Sequence, residues 1–342
     1  MPKMLLFTLL CALSCATIAE SRQITDMAGR TVTVPDTIKR VFTGSPPATY
    51  MLYALDPTLL VGINYKVRED EIRFLRPEIA RLPVIGGFFG QGKSINMEVL
   101  LQHKPDVVVI WSTLGQKYDE QFVEKLNKAG IPTVFVNLDR LENYPDAFLF
   151  LGNLLDRKER ARKLADYARD TFKSVAKVVT AIPEKERLRI YYAESPDGLA
   201  TERESSWHAE LIPLAGGRNV HKGEPQFESG GMEKVSMEQV LIYDPEAIIT
   251  HDRAFYDSLA KDRRWQGIRA VKSRRVYLIP RIPFNWFDRP PSFMRLLGIR
   301  WLANQMYPKQ YPLDIQAVTK HFYKLFLGVE LGNSDVREIL SR

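Results

Sequence analysis

The chain has 342 residues, a net charge of +7 and two cysteines, Cys11 and Cys15, both close to the N-terminus. The basic excess is spread over a Lys- and Arg-rich surface. Even the most basic stretch, residues 261–281, interleaves its charges with the core-type Trp265, Ile268, Val271, Val276 and Leu278. With no zinc finger, ribonucleoprotein motif or basic zipper, nucleic acid is excluded as a partner, and the length suits two α/β lobes.

Lys3, the apolar run 4–13 and the small residues Thr17-Ile18-Ala19 read as an export signal, residues 1–19, with cleavage after Ala16 as the alternative. About ten apolar residues cannot cross a bilayer, which takes roughly 20. Cleavage after Ala19 would remove both cysteines, so neither a disulfide nor a thiolate metal site is expected. Ala12-Leu13-Ser14-Cys15 weakly resembles a lipoprotein box, which leaves lipid anchoring through Cys15 as the alternative to a free periplasmic protein.

After the turn at residues 26–29, Thr31 to Val34 alternate as an entry strand closed by Pro35. Apolar strand-like runs follow at 40–43, 60–63, 84–85, 107–111 and 133–136, with helical stretches between, including 118–129. Continuous apolar character suits parallel strands covered on both faces, and the alternation suits βαβ units. Residues 157–181 carry no Gly or Pro and place Ala161, Leu164, Ala165, Ala168, Phe172, Val175, Ala176 and Val179 at helical spacing. At 1.5 Å per residue this rod runs to roughly 37 Å, enough to link two lobes. Strands at 189–193, 247–250 and 276–279 repeat the pattern beyond it. The expected organisation is a first α/β lobe at 20–156, a linking helix at 157–182 and a second α/β lobe at 183–342 with a helical tail.

One unit occurs twice. Asn96-Met97-Glu98 leads through an apolar stretch to Pro105 and the strand run from Val107; Ser236-Met237-Glu238 leads likewise to Pro245 and the run from Ala247. Each copy has a polar cap, a Glu two residues on, a Pro stop and a buried strand. Either Glu alone is explained by the helix dipole, worth about 0.3–1 kcal/mol. Two at matching places point to a shared task.

Thr25-Asp26-Met27-Ala28-Gly29-Arg30, Arg40-Val41, the two Glu-bearing units, and residues 265–272 leading to Arg275-Val276-Tyr277 together resemble the periplasmic binding proteins of iron-siderophore, haem and cobalamin ABC importers. The resemblance spans about residues 22–302. It implies two Rossmann-like lobes joined by one long helix, a ligand cleft between them, and docking of Glu98 and Glu238 onto arginines of the membrane permease. It further implies a monomer that does no chemistry and holds no cofactor. A captured metal chelate is the first expectation, a molybdate or tungstate oxyanion the second, and a nickel or cobalt chelate the third.

Ligand contacts are expected in loops beyond the carboxyl ends of strands. In the first lobe these offer Ser45, Phe89 and Trp111; in the second, Tyr192, Glu202, Trp207, His208, Trp286 and Arg289. An aromatic face suits a flat or apolar chelate, and a guanidinium suits an anion. The alternative role for Trp286 is to plug the lobe, and for Arg289 to pair with Asp288. The five histidines show no zinc spacing, although His208 and His251 are placed to meet in the second lobe. An enzyme finds little support: Ser205-Ser206-Trp207-His208 is no triad, Gly44-Ser45-Pro46-Pro47-Ala48 departs from a nucleophile elbow, and no phosphate loop is present. An adhesion or scaffold module would need neither a cleft nor the matched acids.

Overall fold

The computed structural model describes residues 20–87, 94–111, 120–224 and 231–341. The export signal with Cys11 and Cys15, and the expected cleft residue Phe89, lie outside the described residues.

The first lobe contains β1 (Ser21–Thr25), β2 (Thr31–Pro35), β3 (Val41–Thr43), α1 (Pro46–Leu55), α2 (Glu69–Ile72), α3 (Met97–Gln102), β4 (Val107–Trp111), α4 (Glu120–Lys128), β5 (Thr133–Val136) and α5 (Tyr144–Leu154). α6 (Lys158–Val179) leads to the second lobe. There follow β6 (Arg189–Ala193), β7 (Ala200–Thr201), α7 (Leu211–Leu214), β8 (Arg218–Asn219), β9 (Glu233–Lys234), α8 (Met237–Tyr243), β10 (Ala247–Thr250), α9 (Arg253–Ser258), α10 (Arg269–Lys272) and β11 (Val276–Leu278). α11 (Arg295–Met306), α12 (Ile315–Phe322) and α13 (Asn333–Ser341) complete the chain.

Each lobe is built on a parallel sheet, in the order β3-β4-β5 in the first and β11-β10-β6-β8 in the second. The runs at 60–63 and 84–85 contribute only isolated bridges, Val41 to Leu60 and Ile63 to Val84. The β1–β2 hairpin closes the β5 edge, where the Asp26 carboxylate accepts from the Phe135 amide at 3.1 Å and the Met27 amide donates to the Phe135 carbonyl. Covering an edge strand this way removes a row of unpaired backbone groups.

Side chains alternate across both sheets. Val107, Val109 and Trp111, with Ile190, Tyr192, Ala247 and Ile249, join one core that also takes in α1, α5, α6, α11 and the tail. Their neighbours Val108 and Ile110 face a separate outer cluster with Leu100 and Leu126, while Tyr191 and Ile248 face another with Trp265. The two lobes thus share one apolar interior and keep separate outer ones. α5 approaches α6 closely at Gly152, where a Cβ would lie 2.2 Å from that of Ala161.

The repeated unit folds the same way twice. The exposure pattern of residues 94–106 recurs over 234–246 at every position but one: Lys104 is exposed, Asp244 half-buried. Asn96 and Ser236 cap their helices by accepting from the amides of Val99 and Gln239. Lys104 and Asp244 both turn the chain with left-handed backbones, at φ 43° and 37°. Arg40 and Arg189, at or next to the start of the neighbouring strand, donate to the carbonyls of His103 and Tyr243. In return Asp106 and Glu246 accept from the amides of Arg40 and Arg189.

The tail returns to the first lobe. Phe326 stacks with Phe322 and Phe293 and meets Phe148 of α5; the Tyr53 hydroxyl of α1 donates to the Leu327 carbonyl at 2.9 Å. α13 pairs Asp335 and Glu338 with Arg73 of the first lobe, while Arg253 of the second donates to the Ser341 carbonyl.

Candidate functional site

A cavity of about 260 Å³ opens between the lobes. Its first wall comes from α1 and the segment that follows the 60–63 run, with Thr49, Tyr50, Tyr53, Asn64, Tyr65, Arg68 and Glu71. Its second wall comes from loops after β10 and β11, with His251, Arg281, Phe284, Asn285 and Arg289.

Local bonds fix the first wall. Asn64 donates to the carbonyls of Thr43 and Gly86 at 2.9 and 3.0 Å, and its own side-chain oxygen accepts from Thr49 at 2.6 Å. The Tyr50 and Tyr65 hydroxyls touch, and the Tyr50 ring lies 4.0 Å from that of Phe284, centre to centre, so the two walls meet through aromatics. Arg68 turns back onto Asp70 at 2.8 Å. Arg281 is exposed and forms no ion pair among the described residues.

Behind Arg289 lies a buried charge cluster. Its Nε donates to Glu194 at 2.5 Å and one Nη to Glu202, and Asp288 stands 3.9 Å away; all three carboxylates are fully shielded from solvent. Asp288 bonds the Nδ1 of His208, while Ser206 donates to Glu202 at 2.8 Å. Burial raises Glu194 above the usual carboxylate range against the pull of Arg289; burial, then Glu194, pushes Glu202 up to about 7. Burial works against ionisation of Asp288 too, but His208, Arg289 and Arg295 outweigh it and hold the carboxyl low. Burial depresses His251 to about 4; its Nδ1 lies 3.2 Å from the Tyr192 hydroxyl. Arg289 takes a left-handed backbone, φ 58°, rare for a residue with a side chain. The loop presses on α11 at Gly298, where a Cβ would sit 1.9 Å from the Trp286 carbonyl oxygen.

Of the residues expected from sequence, Arg289 lines the cavity, and Tyr192, Glu202 and His208 lie in the cluster behind it. Asp288 pairs with His208 and stands 3.9 Å from Arg289, whose fork takes Glu194 and Glu202, so the expected Asp288–Arg289 pair is present as the longest contact of a wider cluster. His208 and His251 hold different partners, Asp288 and Tyr192. Trp207 and Trp111 meet edge to face at 5.5 Å, and the Trp111 indole donates to Asp139 at 2.8 Å. Trp286 is completely buried beneath the loop, its plugging role, and Ser45 is buried at the start of α1. Tyr50, Asn64, Tyr65, Arg68, Glu71 and Arg281 also line the cavity and are not among the residues expected from sequence. Asn64 and Tyr65 directly follow the 60–63 run, and Arg281 follows β11, so the rule that ligand loops follow strands reaches them as well.

Glu98 and Glu238 stand exposed in the first turns of α3 and α8, one per lobe. Its own amide and the Ser236 hydroxyl hold the Glu238 carboxyl below its usual range, so it is charged at neutral pH.

The periplasmic binding protein family matches residues 88–283. A solved structure, an ABC transporter solute binding protein from Sulfurospirillum deleyianum, is 39% identical with a TM-score of 0.86, covering 94% of this chain and 99% of that one. The molybdate-binding protein of Haemophilus influenzae is 26% identical over 94% of this chain and 95% of its own length. The vitamin B12-binding protein of Vibrio cholerae is 25% identical over 75% of this chain and 85% of its own.

Two outcomes are expected of the buried cluster. Arg289→Ala leaves Glu194 and Glu202 without their cation and should cost about 3–5 kcal/mol in urea unfolding, the scale for breaking a buried pair. Glu202 titrates near 7 when folded, against an ordinary 4.5. Its contribution is therefore complete below the lower value and is lost as pH rises through the higher one. The stability of Glu202→Gln relative to the parent should accordingly improve steadily from pH 5 to pH 8; a constant difference would remove the assignment.

Proposed function

Because the chain belongs to the periplasmic binding protein family, which captures ligands for ABC transporters, we propose that its cleft holds a small anionic metal species, first of all a molybdate- or tungstate-type oxyanion, for delivery to a permease. The cavity carries this reading. It measures about 260 Å³ and is lined by Glu71 and three guanidiniums, Arg281 without an ion pair among the described residues and Arg68 and Arg289 also held by acids outside the cavity, with donors from the Tyr50–Tyr65 hydroxyl pair and the Asn285 amide. Cavities enclosing drug-sized ligands run to roughly 300–1,000 Å³, and haem and cobalamin are no smaller than such ligands. The likeness to a molybdate-binding relative along nearly the whole chain supports the same class.

A second reading, a compact metal chelate such as a small ferric siderophore, draws on the aromatic wall. Tyr50, Tyr53, Tyr65 and Phe284 offer ring faces that a bare oxyanion does not use. Under either reading the protein supplies recognition alone, is exported by its N-terminal signal, and docks on the permease through Glu98 and Glu238. The acids sit exposed at matched positions of α3 and α8, one in each lobe, which supports a shared role.

Calorimetric titration with molybdate, tungstate, sulfate, ferric siderophores of each class, haem and cobalamin should give micromolar or tighter binding of molybdate or tungstate. Arg281→Ala should weaken that binding at least tenfold with an unchanged melting temperature, since a charge-assisted hydrogen bond contributes about 1.5–3 kcal/mol. A response confined to a ferric siderophore would transfer the assignment to the chelate; one confined to haem or cobalamin would overturn both readings.

Docking has its own test. The double variant Glu98→Ala, Glu238→Ala should bind the same ligand as the parent yet fail to stimulate the ATPase of its reconstituted transporter. Full stimulation would end the docking role.

A further inference from the structure

Among the described residues, two leucines are exposed, Leu101 at 39% and Leu241 at 50%; every other one is buried or half-buried. They occupy equivalent places in the repeated unit. Leu101 lies three residues after Glu98 in α3, and Leu241 three residues after Glu238 in α8. Residues three apart share a helix face, so each lobe presents one carboxylate and one leucine side by side. Scattered exposed apolar residues are ordinary on soluble proteins and need no partner. Recurrence of one at the same position of both copies of the unit, beside an acid each time, is different.

We propose that Leu101 and Leu241 are apolar anchors for the permease, seating in apolar depressions that adjoin the cations met by Glu98 and Glu238. The inference rests on the docking reading of the two acids. The partner it calls for has two similar surfaces, each with a basic group next to an apolar pocket. Acids on an otherwise basic chain favour a cationic partner, and the leucines add what charge alone cannot: contact that survives salt. Interfaces commonly have this anatomy, with a desolvated apolar centre and a polar surround. The two patches are unequal. Ile242, the next residue in α8, is 74% exposed, whereas its counterpart in α3 is Gln102. The second lobe therefore presents the larger apolar area and carries more of this contact.

The test uses the full-length mature protein and its reconstituted transporter in nanodiscs, with affinity measured at 50 mM and 500 mM salt. Exposed Leu→Gln changes should leave the melting temperature and the molybdate titration as in the parent. Leu101→Gln with Leu241→Gln should weaken docking at least tenfold at both salt concentrations, with the larger single effect from Leu241→Gln; Leu→Met at both sites should restore it. Glu98→Ala with Glu238→Ala should weaken docking mainly at 50 mM, where charges are least screened. Parent-like docking by the leucine variant, alongside loss in the acid variant, would discard the anchors and keep the acids. Parent-like docking by both variants would remove the docking face altogether.

Discussion

A guanidinium that must be paired governs the cleft. Glu194, Glu202 and Asp288 are shut away from solvent, and charge in such a place is tolerated only with a partner. Arg289 meets this requirement from a left-handed backbone, and its loop is held against α11 where Gly298 leaves room. Phe284, Asn285 and Pro290 of the same loop share the second wall of the cavity with it. Arg289 therefore has two masters: the acids behind it and whatever enters in front. Arg281, exposed and without an ion pair among the described residues, has only the second.

The relation between the lobes is set by a shared interior. One core joins the inward faces of both sheets with α5, α6 and the tail. Glu210 adds a polar tie, accepting from the Leu141 amide of the first lobe at 2.7 Å and from Arg295 of the second at 2.8 Å. Wholesale lobe separation would expose this core and break the bond between the Leu141 amide and Glu210. A helix crossing once as a strut is thus reinforced by a second crossing, and small adjustments of the cavity walls are the motion such a build allows.

Much of this was legible in advance because it is periodic. The apolar runs of β4, β5, β6 and β10 and the long spacing of α6 are local patterns, and the duplicated Glu-bearing unit is visible as repeated text. Its repeated lock, Arg40 with Asp106 and Arg189 with Glu246, has no such pattern, because it joins side chains to backbone between segments distant in sequence. The same limit explains the site. Sequence named Glu202, His208 and Arg289 one by one, but pairing across roughly ninety positions has no local signature. Trp286 carried the right chemistry for a ligand and the wrong depth. A helical tail is legible in the sequence, but its seat on α1 and α5 is not.

That seat has a consequence for how the chain is made. The first lobe is synthesised well before residues 322–327, yet Tyr53 and Phe148 find their partners there. Until residues 322–342 arrive, an apolar face of α1 and α5 stays uncovered, the kind of surface on which unfinished chains associate. Completion of the molecule is therefore an event at its C-terminal end, and a chain cut short before that point would leave this face bare.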